Sequence, residues 1–337
     1  MSMNHHLTSV RIGFIGAGGI VDRHVGVLAQ MPDVEIAAFA DPDFERAIRL
    51  AHRCGARAYR THDDMLAFEK LDALYICVPP FAHGEPERAA IAAGLPFFVE
   101  KPLSLDLATA ADIAVSVAGS GLVTAVGYHW RYLDTVEEAK AILVGNPAHL
   151  ISGHWLDQTP PPHWWWRNDQ SGGQIVEQAT HLIDLARYVA GDVTDVYALA
   201  AHAPARGDFP GLDVATATAV TLGFASGAVG NLSSTCLLRW SHAIGLHIFA
   251  DGLAIELSDH DIMVDIGQGR PVRQAGEDPV FREDRDFIDA ISDRGNRIRC
   301  SYGEALKTHR VALAITQSAK TGNPIRMEDW QLETIIV

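Results

Sequence analysis

The rhythm of apolar and polar positions along this 337-residue chain changes once, near residue 127. Before that point short apolar runs alternate with amphipathic stretches. Strands are predicted over residues 10–15, 34–40, 73–78, 96–99 and 122–126, and helices over 20–30, 43–54, 83–93 and 106–117. Runs that are apolar on both faces mark strands buried in a parallel sheet, so the alternation predicts a doubly wound α/β unit. Gly94 and Gly121 fall where helices should stop, and Thr61 and Ser104 where helices should start.

Beyond Gly127 strands dominate, over residues 149–156, 193–201, 214–222, 228–236, 243–250 and 253–257, with helices over 174–190, 281–293 and 302–320. The fold class predicted is α/β: an N-terminal doubly wound parallel sheet in residues 1–126, then an α/β domain in 127–337 on a large open, mainly antiparallel sheet. A sheet with helices on one face leaves the other face open. Self-association through it, as a homodimer or homotetramer, is expected.

Composition narrows the function. Apolar residues make up 48% of the chain, enough for a large core, and the formal charge is −15 with no basic cluster. Nucleic acid and anionic membrane partners are disfavoured, because either needs Lys and Arg gathered on one surface. No apolar run approaches the roughly 20 residues that cross a bilayer, and the first ten residues do not read as a signal peptide, so a cytoplasmic location is expected. Cys54, Cys77, Cys236 and Cys300 are widely spaced and form no CxxC pair, so neither a metal site nor a disulfide framework is expected.

The first chemical signal is Gly16-Ala17-Gly18-Gly19-Ile20, directly after the first strand, with Asp41 at the end of the second. Glycines there let backbone amides approach a pyrophosphate at a helix start, while the carboxylate meets the adenosine ribose hydroxyls. This is a Rossmann dinucleotide pattern, although Val21 fills its third glycine position and Asp41 could simply open the turn Asp41-Pro42-Asp43. A 2′-phosphate near Asp41 would cost on the order of 3 kcal/mol at an effective dielectric near 20, so NAD is expected over NADP.

The second signal is Glu100-Lys101-Pro102, at the carboxyl edge of the parallel sheet where such folds bind ligands. A Lys there can stabilise an alkoxide. The third is the predicted helix over 174–190. At about 100° per residue, Glu177, His181, Asp184 and Tyr188 share one face. Glu177 at i and His181 at i+4 can hydrogen-bond, which would orient the imidazole and favour its protonated form. His154-Trp155 and Pro162-His163-Trp164-Trp165-Trp166 add aromatic surface suited to a sugar or cyclitol. Trp164, Trp165 and His154 are candidate substrate contacts, with His129 and Arg131 at the domain junction. His5, His6, His24, His52 and His62 read as scattered surface imidazoles.

Together these pieces resemble the glucose-fructose oxidoreductase and inositol dehydrogenase family (Gfo/Idh/MocA). The shared order runs from the glycine turn through Val78-Pro79-Pro80, His83, Glu100-Lys101-Pro102, Gly127-Tyr128-His129-Trp130-Arg131, Trp166-Arg167 and Gly172-Gly173 to His181 and Asp184. The resemblance implies redox chemistry on sugars, polyols and related compounds, with Lys101 and His181 flanking the reacting carbon. It further implies that Gly16, Gly18, Gly19 and Ile20 hold the pyrophosphate, Asp41 the adenosine ribose, and Val78 and Pro79 the middle of the cofactor. His83, Glu100, Lys101, Trp166 and Arg167 complete the implied cofactor contacts. Lys101, Glu177 and His181 would serve substrate and catalysis. Where the family commonly has Asp, this chain has Glu177, one methylene longer. Two relatives in kind stay open: a dinucleotide-binding sensor without turnover, and a glycosidase that retains its NAD.

Overall fold

The computed structural model describes residues 9–203 and 207–330. Its first sheet holds six parallel strands: β1 Val10–Ile15, β2 Val34–Ala40, β3 Arg57–Tyr59, β4 Ala73–Ile76, β5 Phe97–Val99 and β6 Thr124–Val126. Their order is β3-β2-β1-β4-β5-β6, so the direction of winding reverses between β1 and β4. Open α/β sheets bind ligands beside the carboxyl ends of the strands at such a reversal. β4 and β5 are buried from end to end, which is why they read as unbroken apolar runs.

Helices α1 Gly19–Leu28, α2 Phe44–Cys54, α3 His62–Phe68, α4 Glu85–Ala92 and α5 Leu107–Ser120 connect these strands. Asp43, Thr61 and Asp106 cap α2, α3 and α5 by accepting the N–H of Arg46, Asp64 and Thr109. Ser104, expected at a helix start, instead donates its hydroxyl to the Asp106 carbonyl. Gly121 ends α5 in the left-handed conformation that its lack of a Cβ permits.

The second sheet holds β7 Leu150–Gln158, β8 Val193–Ala201, β9 Ala217–Phe224, β10 Val229–Leu238, β11 Ala243–Ala250, β12 Leu253–Leu257, β13 Asp261–Asp265, β14 Val272–Gln274 and β15 Ile325–Arg326. Its order is β14-β13-β12-β11-β7-β10-β9-β8-β15. β7 and β10 run parallel and the other neighbours antiparallel, so the expected mainly antiparallel sheet is present. One face is covered by α6 Asp134–Ile142, α9 Thr180–Ala190 and α11 Tyr302–Thr321, through Val136, Ile183 and Ile315 packed on Ile151, Leu246 and Ile255. Each such buried side chain contributes roughly 1.5–3 kcal/mol.

The chain after β14 returns to the first sheet. Phe287 and Ile288 of α10 Pro279–Ile291 share a core with Phe14, Val25 and Phe98. Tyr302 and Ala305 of α11 share another with Ile76 and Ile113. A division at residue 126 therefore separates the two sheets but not the helices that cover them.

The uncovered face of the second sheet is mixed in character. Leu150, Tyr197, Leu199 and Val229 are exposed there beside Ser152, Thr221, Asn231 and Ser233. Among the described residues no helix is long and apolar enough to cross a membrane. Cys77, Cys236 and Cys300 are buried and Cys54 is half-buried, and no disulfide joins them.

Candidate active site

The glycine turn links β1 to α1 at the point of reversal. Gly16 has φ +100°, and a Cβ there would lie 2.2 Å from the Cys77 carbonyl oxygen, so only glycine lets the ends of β1 and β4 come this close. Around Gly18 and Gly19 a Cβ would meet nothing within 4 Å. No side chain caps the first turn of α1, and Ile20 is exposed at its mouth. These features fit a pyrophosphate against the helix start.

Asp41 stands beside this turn. One carboxylate oxygen accepts the Ala17 N–H at 2.7 Å and the other the Asp43 N–H at 2.8 Å. It therefore braces the glycine turn and opens its own turn at once. Val78 and Pro79 follow β4, half-buried, at the same edge. His83 is turned inward: its Nδ1 lies 2.6 Å from Glu87, whose other oxygen accepts the Gly84 N–H, and its Nε2 is buried without a partner.

Glu100 and Lys101 follow β5. Glu100 is buried, with one oxygen accepting the Lys101 backbone N–H. The Lys101 ammonium donates to the Glu177 carbonyl at 2.7 Å and to its carboxylate at 2.9 Å. The other Glu177 oxygen accepts the Trp165 indole N–H at 2.8 Å. Thus a Lys from the first domain and a Trp from the second grip one carboxylate.

The single helix expected over 174–190 is broken. α7 Asn168–Ser171 and α8 Gly173–Glu177 are short, Gln178 departs to φ −109°, ψ −60°, and α9 begins at Thr180. The break turns Glu177 toward Lys101 and away from the i+4 position. His181 consequently gains no carboxylate, contrary to the pairing expected between them.

Rings surround His181 instead. Trp130 and Trp155 stack against it with centroids at 6.1 Å each, while His129 at 4.9 Å and Tyr128 at 5.8 Å meet it edge-on. Its Nδ1 is buried without a partner. Burial, then His129 and Lys101, hold its pKa well below the usual histidine value, so the imidazole is neutral rather than stabilised as the cation. Burial likewise lowers His129 to about 4.

Three expected substrate contacts lie elsewhere. Arg131 is buried and makes a bidentate pair with Asp184, 2.7 Å on each arm, with the Thr308 hydroxyl also donating to that carboxylate. This pair joins the turn after β6 to α9, and Arg131 faces no open space. His154 points to the uncovered face of the second sheet, against His247 at 5.2 Å. Strand alternation gives the inward position to its neighbour Trp155, and that period of two was the signal for it. Trp165 is 1% exposed, so its role is to hold Glu177 rather than to stack on a sugar.

Trp164 remains half-buried. Trp166 donates its indole N–H to the Pro160 carbonyl, and Arg167 reaches Asp169 and Asp213 at 3.5 Å. The following α7 packs on the Pro80–Ala82 turn of the first domain, directly after Trp166 and Arg167 in the chain. Of the histidines read as surface groups, His52 is exposed and His62 half-buried, but His24 is completely buried. His5 and His6 lie outside the described residues.

Comparison with known proteins identifies the family and the fold. Residues 10–128 match the model of the Gfo/Idh/MocA oxidoreductase family, NAD-binding Rossmann fold, and residues 143–255 match the Gfo/Idh/MocA C-terminal domain. An uncharacterized oxidoreductase of Bacillus subtilis, YrbE, is 28% identical over 335 residues, covering 94% of this chain and 96% of that protein. Myo-inositol 2-dehydrogenase of Thermotoga maritima is 28% identical over 232 residues, 67% of this chain and 68% of that one. The fold is also that of levoglucosan dehydrogenase in its complex with NADH, with a TM-score of 0.85 at 20% identity over 95% of this chain and 99% of that chain. Glycine turn, domain pairing and sequence together make this chain a member of the Gfo/Idh/MocA family of NAD-binding oxidoreductases.

Proposed function

We propose that this chain is an NAD-dependent dehydrogenase or reductase acting on a secondary alcohol or ketone of a sugar, cyclitol or related polyol. The observation that carries the reading is the grip of Lys101 on Glu177 beside a neutral His181. NAD is favoured over NADP because Asp41 presents its carboxylate where the adenosine ribose would lie.

Gly16, Gly18, Gly19 and Asp41 would hold the dinucleotide, with Val78, Pro79, Trp166 and Arg167 along it. When bound, the nicotinamide supplies the hydride acceptor or donor. An ammonium has three N–H donors, and Lys101 spends two on Glu177, which leaves the third for a substrate oxygen. Lys101 thereby stabilises the alkoxide as charge develops. His181, neutral, takes the hydroxyl proton during oxidation and returns it during reduction. Glu177, steadied by Trp165, keeps the ammonium aimed. Trp164 and His129, both half-buried, would line the sugar side of the pocket, with the buried Trp130 and Trp155 stacked against His181.

A homodimer or homotetramer through the uncovered sheet face completes the proposal. Small Ser, Thr and Asn side chains there permit close sheet-on-sheet approach, and the exposed Leu199 and Val229 supply apolar area.

A screen for NAD reduction over cyclitols, aldoses, deoxy sugars and anhydro sugars, run beside NADP, tests the reading. Net NADH formation from one class supports it. Hydrolysis of a glycoside with no net NADH would identify a retained-cofactor glycosidase instead, and cofactor binding without any turnover would identify a sensor.

A further inference from the structure

Behind Glu100 lies a buried polar chain that the proposed reaction leaves without a task. His24 sits in the second turn of α1, fully buried. Its Nδ1 lies 3.0 Å from both carboxylate oxygens of Asp284 on α10, and its Nε2 lies 3.1 Å from Glu100 Oε1. A neutral imidazole has one N–H, so it could serve one of these carboxylates only while turning a lone pair on the other. Burial raises the Asp284 carboxyl and His24 pulls it back down, and with Asp284 and Glu100 both ionised the arrangement calls for an imidazolium with a proton on each nitrogen. Although burial opposes the charge, Asp284 and then Glu100 raise the His24 pKa well above its usual value.

Glu100 passes this constraint on. Its Oε2 accepts the Lys101 N–H at 3.1 Å, and Gly127 packs so closely that a Cβ there would come 2.4 Å from Oε1. Gly127 opens the segment that carries Tyr128, His129 and Trp130 to His181. One carboxylate therefore anchors both the root of Lys101 and the wall around His181.

We propose that His24 is a positioning residue: tethered by Asp284, it locks the Glu100 carboxylate so that Lys101 and residues 127–130 keep their register beside His181. What that register serves rests on the hydride-transfer reading, whereas the lock is a property of the folded chain. His24, Glu100 and Glu283 bring three ligand-type atoms within 4.8 Å of one another, but an imidazolium has no lone pair for a metal. Burial, then Asp284, raises Glu283 well above the carboxylate range, so it adds no third negative charge.

The groups facing His24 are Asp284 and Glu283 from α10, Glu100 from the end of β5, Tyr75 from β4 and His129 from the turn after β6. Replacing Asp284 by Asn removes the largest attraction, so His24 would lose its proton at lower pH. The test uses the full chain, NADH as probe and 15N-histidine NMR. An imidazolium signal with contacts to the rings of Tyr75 and Phe98, 5.4 and 5.0 Å away, should persist at pH 8.5 and vanish in His24→Gln. NADH affinity of Asp284→Asn should match the unaltered protein at pH 6 and fall about 10-fold by pH 8.5, because a His24 that loses its proton releases Glu100, itself an expected cofactor contact, and not only the Lys101 side chain. A purely structural loss would weaken binding equally at every pH.

A neutral His24 at pH 7, or an Asp284→Asn affinity that runs parallel to the unaltered protein throughout, overturns the proposal. Should Asp284→Asn fail to fold, the signal of the unaltered protein decides: its absence at pH 8.5 rejects the lock. Failure of every sugar and polyol to turn over would sink the proposed reaction alone, because neither readout depends on turnover.

Discussion

His24 and His181 are both buried, on opposite sides of the Glu100-Lys101 segment, yet the fold sets their charges in opposite senses. Asp284 and Glu100 meet the two nitrogens of His24. Tryptophan, tyrosine and a second histidine meet His181, and among the described residues no carboxylate does. Burial disfavours the cation at both sites, so the partners decide the outcome. Charge-assisted bonds hold geometry, whereas a proton acceptor must keep a lone pair free. The same surroundings that make His181 neutral also make its conjugate acid strong, which suits proton return to a ketone.

Arg131 follows the His24 pattern, a buried cation held by a buried carboxylate, and breaking it gives the largest expected effect. Arg131→Leu leaves Asp184 buried and unpaired, so urea unfolding should show a loss of about 3–5 kcal/mol. Activity per folded molecule should change little. A large rise in substrate KM with stability intact would restore Arg131 as a substrate contact.

Next come the proposed reacting groups. Lys101→Ala or His181→Ala should each lower turnover by roughly 100-fold or more, with NADH affinity nearly unchanged in a fluorescence titration. Turnover within a few-fold of the unaltered enzyme would remove that residue from the chemistry.

Acid sharpens the contrast. His129 and His309 are held at about 4 by burial, and His181 is lowered too. The unfolded chain binds protons at these groups near pH 6.5 while the native state does not, so stability is full above 6.5 and falls as pH drops. By pH 5 His129 and His309 should each cost roughly 2 kcal/mol. His24 contributes with the opposite sign, since its raised pKa stabilises the fold at low pH. Unfolding measured from pH 8 to 5 should show net loss, most of it cancelled if His129 and His309 are both replaced by Gln.

The smallest effect separates Trp165 from His154. Trp165→Phe removes one N–H from Glu177 and should lower kcat/KM several-fold, roughly 1 kcal/mol. His154→Ala, on the other sheet face, should leave kcat/KM unchanged.

Much of this was legible in the chain. The glycine turn, Asp41, Lys101 and His181 carry local patterns, and both sheets follow from the periods of their apolar residues. The break at Gln178 was not legible, because a continuous amphipathic pattern fits one helix, and the bonds to Glu177 from Lys101, 76 residues away, and from Trp165 favour two. His24 read as surface because its partner Asp284 lies 260 residues away. Trp155 was in plain view beside His154, and the alternation of β7 decides which of them faces the helices. Long-range partners, more than local propensity, set which polar residues are buried.

A crystal structure with NADH and a turned-over polyol tests the central claim most directly. The account predicts that the Lys101 ammonium and the His181 imidazole both lie within about 3.2 Å of one substrate oxygen, on the carbon facing the nicotinamide. A reacting oxygen that neither group reaches, in a closed complex, would contradict it.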